Sequence, residues 1–264
     1  MNYVHEYRTN GFAVIKNVFS QKEVSAIRAA AIIATSHVSE LPTKGYRHMP
    51  IDIRVDSDGF SYPAISFWPS LLSPFLEKVR IDKRLQDIVT SILGQDTKQL
   101  NNQFYFHLSG EDDAFNWHQD IMFRHPLDDY PRIVEEDNYL QTAIVIDSFS
   151  EEISPLYMVP NSYKLGDLKF LQNEDGTPNY SNLRKAPDMN FPLDRLGLEP
   201  IVLKADPGDV AIWCSLTLHA SCPGKQTGHR AYFMNGFAAS HNARGWPVYT
   251  ENGQIRELDP TQIP

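Results

Sequence analysis

The chain has 264 residues, of which 42% are hydrophobic and 22% charged, a composition typical of a folded globular protein and unlike that of a disordered one. Its 24 Lys and Arg residues against 33 Asp and Glu residues give a formal net charge of −9. No run of basic residues offers a surface that could follow phosphates, so nucleic acid and anionic membranes are poor candidates for partners.

The same sequence indicates a cytoplasmic location. The N-terminal residues lack the apolar core of a signal peptide, and the longest apolar run, residues 29–34, is too short to span a bilayer. The two cysteines, Cys214 and Cys222, form no disulfide framework and suit a reducing compartment. We therefore expect a cytoplasmic protein that does not associate with membranes.

The N-terminal third is predicted to contain one strand followed by helices. Residues 11–19 are rich in β-branched and aromatic side chains, which predicts a short buried strand. Ser20 and Glu23 have the spacing of a capping box, in which each side chain accepts a hydrogen bond from the backbone amide of the other residue. A helix should begin there, and a second helix is predicted over residues 73–93, ended by Gly94.

Beyond Gly94 the pattern changes to short strands separated by turn residues. The predicted strands span residues 99–108, 117–123, 140–147, 156–159, 201–204, 210–218 and 230–238. Strands and helices do not alternate and no Gly-rich nucleotide loop is present, which argues against a Rossmann fold. We expect one mostly β domain over residues 1–264, a sandwich or jelly roll with N-terminal helices.

Two long segments are predicted to be irregular. Residues 124–138 are rich in Asp, Glu and Pro, and residues 164–200 are rich in Asn, Asp, Gly and Pro. Loops of this length in a compact domain are usually functional lids or disordered excursions. We expect both segments to form the mouth of a binding site.

A histidine and an aspartate stand two positions apart in an otherwise apolar predicted strand. Side chains alternate between the faces of a strand, so His118 and Asp120 are predicted to project from the same face. His219, which follows the predicted strand 210–218, is the best candidate for a third ligand. Two histidines and one carboxylate on one face of a metal leave positions open for a co-substrate and dioxygen, as in non-haem Fe(II) oxygenases. A buried His–Asp hydrogen bond without a metal would also explain the pair.

Arg230 strengthens the metal interpretation. It lies in a predicted strand 11 residues beyond His219, where its guanidinium would enter the interior of a β fold and need a carboxylate partner. Beside a metal, such an arginine could clamp a dicarboxylate. The alternative is a structural salt bridge.

Taken together, these motifs resemble the phytanoyl-CoA dioxygenase superfamily of Fe(II)- and 2-oxoglutarate-dependent enzymes, which includes small-molecule hydroxylases of the ectoine hydroxylase type. The resemblance covers most of the chain, and the joint spacing is more specific than any one motif. The motifs that carry it are Gly-Phe-Ala-Val-Ile-Lys-Asn-Val-Phe-Ser (11–20), Trp-His-Gln-Asp (117–120), Pro-Leu-Tyr-Met-Val-Pro-Asn-Ser (155–162), Pro-Gly-Asp-Val (207–210), His-Ala-Ser (219–221) and Arg230.

The resemblance implies a double-stranded β-helix, a cupin-like jelly roll, buttressed by the N-terminal helices. It implies that Fe(II) is the metal, that 2-oxoglutarate is the co-substrate and that O2 is consumed. The implied iron ligands are His118, Asp120 and His219, and the implied co-substrate contacts are Arg230 and Ser221 at the distal carboxylate, together with Gln141 and Gln103, of which Gln103 matches a family position near substrate.

Substrate contacts are less defined. Gln103, Tyr105 and His107 alternate onto one face of a predicted strand, which is either the wall of a polar pocket or the solvated face of a sheet. Arg124 either binds a carboxylate or phosphonate of the substrate at the pocket rim or pairs with an acidic loop residue. Many relatives have Lys-Pro where this chain has His107 and Leu108, and ectoine hydroxylase has a tryptophan where this chain has Arg124. These differences argue against ectoine as the substrate.

The predicted function is therefore hydroxylation of an unactivated C–H bond in a small polar metabolite, amino-acid-like or a natural-product intermediate, with release of succinate and CO2. The carboxylate of Asp120 argues against halogenation, because halogenating relatives have a small residue there. Desaturation, epoxidation and ring formation with the same cofactors stay open. The alternative of another class is a cupin-like metal isomerase or lyase, or a metal-binding module. We expect the protein to be a monomer or a homodimer.

Overall fold

The computed structural model describes most of the chain, which forms helices and strands. The described residues are 2–36, 52–55, 59, 61–108, 114–124, 139–169, 173–174, 179–183, 185–189, 193–222, 224–226, 228–243 and 245–263. The helices are α1 (Asn2–Asn10), α2 (Gln21–Ser36), α3 (Pro74–Arg80), α4 (Lys83–Leu93), α5 (Tyr180–Leu183) and α6 (Leu193–Leu196). The strands are β1 (Phe12–Ile15), β2 (Asp52–Val55), β3 (Ser61–Phe67), β4 (Thr97–Leu108), β5 (Phe115–His118), β6 (Tyr139–Val145), β7 (Leu156–Met158), β8 (Ile201–Val202), β9 (Val210–Cys214), β10 (His219–Ser221), β11 (His229–Ala239), β12 (Val248–Glu251) and β13 (Gln254–Ile255).

Within the described part of the chain, the strands form two sheets. The larger has nine strands in the order β1-β9-β6-β11-β4-β12-β13, and β3 pairs with β4 and β2 with β3. The smaller has four strands in the order β5-β10-β7-β8, and the pairs within both sheets are antiparallel. These sheets curl toward each other as a double-stranded β-helix, which confirms the predicted fold class.

Three apolar layers hold this arrangement together. The largest packs the outer face of the nine-stranded sheet against helices α1 to α4, with Ile27, Leu76, Leu85 and Phe233 almost fully buried. A second lies between the two sheets, and a third covers the outer face of the four-stranded sheet. None of the described helices has the length and apolar character needed to cross a bilayer.

The N-terminal helices follow the sequence prediction in part. The capping box is confirmed: the Ser20 amide donates to Glu23 Oε2 at 2.7 Å, and the Glu23 amide donates to Ser20 Oγ at 3.3 Å. The single helix predicted over residues 73–93 was wrong, because the chain breaks into α3 and α4. Asp82 caps the second helix by accepting a hydrogen bond from the Arg84 amide.

Two strand predictions were also wrong, and both affect the site. The predicted strand 117–123 ends at His118, and a 3-10 helical turn follows from Asp120 to Arg124. The predicted strand 210–218 ends at Cys214, and a turn over residues 215–218 carries the chain from the larger sheet to the smaller one. Strands β2, β3, β12 and β13 were not predicted.

Candidate metal centre and co-substrate pocket

The three predicted ligands meet between the two sheets. Asp120 Oδ1 lies 3.9 Å from His118 Nε2 and 3.7 Å from His219 Nε2, and all three side chains are buried. An ion about 2.1 Å from each ligand atom can bridge atoms up to about 4.2 Å apart, so these separations suit one ion. Among the described residues, this is the one cluster of His, Cys, Asp and Glu side chains able to hold a metal.

Both imidazoles are oriented by their own backbone. The second ring nitrogen, Nδ1, lies 2.7 Å from the Asn116 carbonyl in His118 and 2.8 Å from the Thr217 carbonyl in His219. A carbonyl can only accept, so each Nδ1 carries the proton and each Nε2 presents a lone pair to the centre. Burial, and next the nearby His219, lower the pKa of His118 to about 3, which keeps its imidazole neutral at neutral pH.

The convergence of His118 and Asp120 has a different cause from the one predicted. Asp120 does not lie on a strand, so alternation along a strand does not place it beside His118. Instead, the 3-10 turn that begins at Asp120 brings the carboxylate back toward the strand end. The turn is anchored by Ile121, which is fully buried and whose amide donates to the Ser215 carbonyl at 3.1 Å.

The turn that precedes His219 is fastened by residues far away in sequence. Ser162 Oγ accepts a hydrogen bond from the Leu218 amide at 2.8 Å, and Thr217 Oγ1 donates to the Gly11 carbonyl at 2.8 Å. Gly11 has a φ of +88°, and a Cβ there would lie 2.6 Å from Thr217 Oγ1. Glycine is therefore required where the N-terminal segment meets this turn.

The second oxygen of Asp120 has its own partner. Trp213 Nε1 on β9 donates a hydrogen bond of 2.7 Å to Asp120 Oδ2. Trp213 is 3% exposed, and its indole ring lies 6.0 Å from the His219 ring between centroids. The carboxylate thus presents one oxygen to the two histidines and the other to an indole.

Arg230 lies in β11, buried at the edge of the same site. Its Nη1 donates to the Ser154 carbonyl at 2.7 Å, whereas its Nε has no hydrogen-bond partner among the described atoms. No carboxylate of a described residue pairs with it, so the structural salt bridge considered from the sequence is not found there. A buried guanidinium with an unused donor suits a carboxylate ligand. Ser221, two residues after His219 on β10, is buried nearby.

A cavity of about 60 Å³ connects these groups. The predicted site residues that line it are Tyr105, His107, His118, Asp120, His219, Ser221 and Arg230. Two predicted residues, Gln103 and Gln141, do not line it: Gln103 Oε1 accepts from Asn101 and Gln141 Nε2 donates to Tyr139. The side chain of Arg124, the other predicted substrate contact, lies outside the described part of the structure.

Several lining residues were not predicted from the sequence; these are Phe115, Phe123, Leu156, Trp213, Tyr232 and Met234. Alternation from Arg230 along β11 would have identified Tyr232 and Met234, because every second side chain faces the same way. The position of Phe123 depends on the helical turn after Asp120, which carried no sequence signal that we recognised.

The long segment 164–200 was predicted to form the mouth, and this was wrong for its described residues. None of them lines the cavity. They instead cover the outer face of the four-stranded sheet, where Trp117 Nε1 donates to the Asp188 carbonyl and Gln119 Nε2 to the Gly166 carbonyl, each at 2.8 Å. The other predicted mouth segment lies, after Arg124, outside the described residues.

A double-stranded β-helix that holds two histidines and one carboxylate between its sheets defines the class of non-haem Fe(II)- and 2-oxoglutarate-dependent dioxygenases. Residues 7–231 match the family described as Phytanoyl-CoA dioxygenase (PhyH). The chain belongs to this family and is an Fe(II)- and 2-oxoglutarate-dependent dioxygenase.

Individual relatives are distant. The ectoine dioxygenase of Bordetella bronchiseptica is 23% identical, over 98% of this chain and 82% of the relative. The solved structure of EctD from S. alaskensis in its apoform is 18% identical, with a TM-score of 0.68 over 97% of this chain and 82% of that one. The epimerase SnoN from nogalamycin biosynthesis is 13% identical, with a TM-score of 0.62 over 96% and 86%. At these identities, the two solved structures show that the fold is shared.

Proposed function

We propose that this protein hydroxylates an unactivated C–H bond of a small molecule, with one oxygen atom of O2 entering the product and 2-oxoglutarate leaving as succinate and CO2. His118, Asp120 and His219 hold Fe(II), and Arg230 with Ser221 holds the distal carboxylate of 2-oxoglutarate. The observation that carries the proposal is the presence of the ligand triad and the unpaired Arg230 Nε in one cavity.

The residues fit both absent groups. Two imidazole nitrogens and one carboxylate oxygen are a donor set suited to Fe(II), and the two Nδ1 contacts already fix both rings. A dicarboxylate would supply the acceptor that Arg230 Nε lacks, in a buried setting where charge-assisted hydrogen bonds are strong. When bound, iron with 2-oxoglutarate and O2 supplies an oxidant capable of attacking a C–H bond.

The chain's own contribution is to orient the reactants and limit the access of water. Phe115 and Phe123 flank His118, with ring centroids 5.2 and 6.0 Å away, so the wall beside the triad is aromatic. Tyr105 and Tyr232 stack at 4.9 Å on the opposite sheet. We propose that an apolar carbon of the substrate lies between these walls, next to the metal.

We propose that the polar part of the substrate lies toward His107. His107 lines the cavity opposite Arg230 in the β4–β11 register, stacked on Tyr105. We propose an amino-acid-like or natural-product substrate, with a carboxylate or phosphonate if Arg124 points inward. Gln103 and Gln141 keep their proposed roles near substrate and co-substrate only if ligand binding opens the cavity toward them.

Other outcomes with the same cofactors form the second candidate. SnoN is described as an epimerase and SnoK, also from nogalamycin biosynthesis, as a carbocyclase, both dependent on alpha-ketoglutarate. The wall residues of this chain determine which carbon meets the metal centre, so ring formation, epimerisation, desaturation or epoxidation would follow from a different substrate pose. Product analysis separates these outcomes from hydroxylation.

The cofactor assignment is tested without a substrate. Adding Fe(II) and 2-oxoglutarate under anaerobic conditions should give the weak visible charge-transfer band of the chelated pair in the wild-type protein. Asp120→Ala should lose the band, and Asp87→Ala, an exposed carboxylate on α4, should keep it. A wild-type protein without the band would favour the cupin-like isomerase, lyase or metal-binding module.

The activity itself is tested by a succinate-release screen over amino acids, N-acyl amino acids, phosphonates and polar natural-product intermediates. We expect at least one compound to stimulate succinate formation in the wild type and in Asp87→Ala. Asp120→Ala should lose the stimulation, since the metal centre would lack its carboxylate ligand. Normal turnover in Asp120→Ala would refute the assigned ligand set.

A further inference from the structure

The two oxygens of the Asp120 carboxylate have different surroundings. Oδ1 lies within 3.9 Å of both imidazole Nε2 atoms, while Oδ2 accepts the indole N–H of Trp213 at 2.7 Å. Both groups are buried, at 6% and 3% exposure, so water competes poorly for Oδ2. A hydrogen bond from a neutral donor to a buried carboxylate is stronger than one between two neutral groups.

Trp213 is itself held firmly in place. It lies in β9, the strand between β1 and β6, with Phe12 and Gln141 as its register partners. The indole packs in the apolar layer between the sheets and also lines the cavity. Its N–H therefore points at Asp120 from a rigid strand of the opposite sheet.

We propose that Trp213 is a positioning residue for the metal centre: its indole N–H holds Oδ2 so that Asp120 offers only Oδ1 to the metal. This inference rests on the proposed function, because it requires the triad to bind iron. Without the N–H, the carboxylate is free to rotate, so Oδ1 is no longer held in position for the metal. Hydrogen bonds to ligating side chains typically change metal affinity by about 10–100-fold.

A purely structural role is the competing explanation, in which Trp213 only fills space and Asp120 is a convenient acceptor. The chain contains a matched control. Trp117 is also almost fully buried and immediately precedes His118, but its indole N–H donates to the Asp188 carbonyl of the covering segment. Loss of this N–H removes a hydrogen bond of similar length that does not involve a metal ligand.

The test is calorimetric titration of the metal-free full-length protein with Mn(II). We expect the dissociation constant of Mn(II) to rise by about 10–100-fold in Trp213→Phe and to change by less than about twofold in Trp117→Phe. Equal affinities in Trp213→Phe and the wild type would overturn the proposal, as would equal losses in the two tryptophan variants.

A second substitution guards against a packing artefact. Replacing Trp213 with 3-benzothienylalanine keeps the size and shape of the ring and removes only the N–H, so it should reproduce the Mn(II) effect of Trp213→Phe. Wild-type affinity in this variant would show that volume, not the hydrogen bond, matters, and would refute the proposal. Asp120→Ala distinguishes a failure of the proposed function from a failure of the Trp213 proposal. If Asp120→Ala binds Mn(II) as tightly as wild type, Asp120 is not a metal ligand and the proposed function is wrong.

Discussion

Among the residues that the structure describes, two arginines are almost completely buried, and their surroundings differ. Arg80, at the end of α3, is 0% exposed, and all three of its side-chain nitrogens donate hydrogen bonds. Nε and Nη2 donate to Glu77, Nη1 donates to Gln99, and Nη2 also donates to the Arg256 carbonyl. Arg230 is 2% exposed, yet its Nε has no described partner and its cavity contains the metal triad.

We propose that this difference separates a structural cation, Arg80, from a cation that binds a ligand, Arg230. A buried charge must be paired, because desolvating it alone is costly. Arg80 meets this requirement within the folded chain, and the ring of Tyr249 covers its guanidinium at 5.6 Å. Arg230 meets it only in part, which supports the proposal that an anionic ligand completes its pairing. The exposed fractions of Arg80 and Arg230 are nearly equal, so burial does not distinguish them; their hydrogen-bond partners do.

The largest effect is expected on folding, from Arg80→Met. Glu77 and Gln99 would lose their partner in a buried setting, which should lower the free energy of unfolding by about 3–5 kcal/mol. Urea denaturation of the metal-free protein measures this. Lys78→Met, at an exposed position of the same helix, is the control and should stay within about 0.5 kcal/mol of wild type. A similar loss in both variants would mean that α3 is sensitive to any substitution.

The second expected effect is on ligand binding, from Arg230→Met. Stability should fall by only about 1 kcal/mol, since one hydrogen bond to the Ser154 carbonyl is lost. The 2-oxoglutarate concentration that half-saturates the anaerobic visible band should rise by about 10–100-fold, because a charge-assisted contact contributes about 1.5–3 kcal/mol. Arg230→Lys keeps the positive charge but lacks the paired N–H donors of the guanidinium, so its half-saturating 2-oxoglutarate concentration should be intermediate. If Arg230→Met is as unstable as Arg80→Met, the comparison between the two arginines fails.

Sequence patterns predicted Arg230 but not Arg80. Arg230 stands at a fixed spacing from His219 within a family pattern, whereas Arg80 looks like an ordinary charged residue near a helix end. Its burial depends on Tyr249 and Arg256, which approach it only in the folded protein. Local patterns therefore cannot show that a surface-type residue is covered by distant chain segments.

The same limit explains the metal centre. The identities of His118, Asp120 and His219 were predictable, but the strand that was to align the first two ends at His118. The direction in which the Asp120 carboxylate points depends on the turn after the strand. That turn is anchored by Ser215, nearly 100 residues later in the chain. Trp213 as the partner of Asp120 was unpredictable for the same reason.

A third arginine, Arg84, also pairs with carboxylates, but it lies at the surface. Arg84 donates to Asp82 and to Glu23, and its side chain is 39% exposed. Hydrogen bonding to Arg84, and next to Ser20, lowers the pKa of Glu23 to about 2. If burial makes Arg80 important, then the Arg84 pair should contribute much less; exposed pairs contribute about 0.2–1 kcal/mol.

The expected result concerns Glu23→Gln and its dependence on pH. The pKa of Glu23 is about 2 in the folded protein and near 4.5 in the unfolded chain, so its contribution is fully present above pH 4.5 and is lost as the pH falls toward 2. The stability difference between wild type and Glu23→Gln should be below about 1 kcal/mol at pH 7 and shrink between pH 4.5 and 3. Urea denaturation at several pH values measures it. In an Arg84→Met background the difference should be smaller at pH 7, and a difference that is constant from pH 7 to 3 would contradict the assigned pairing.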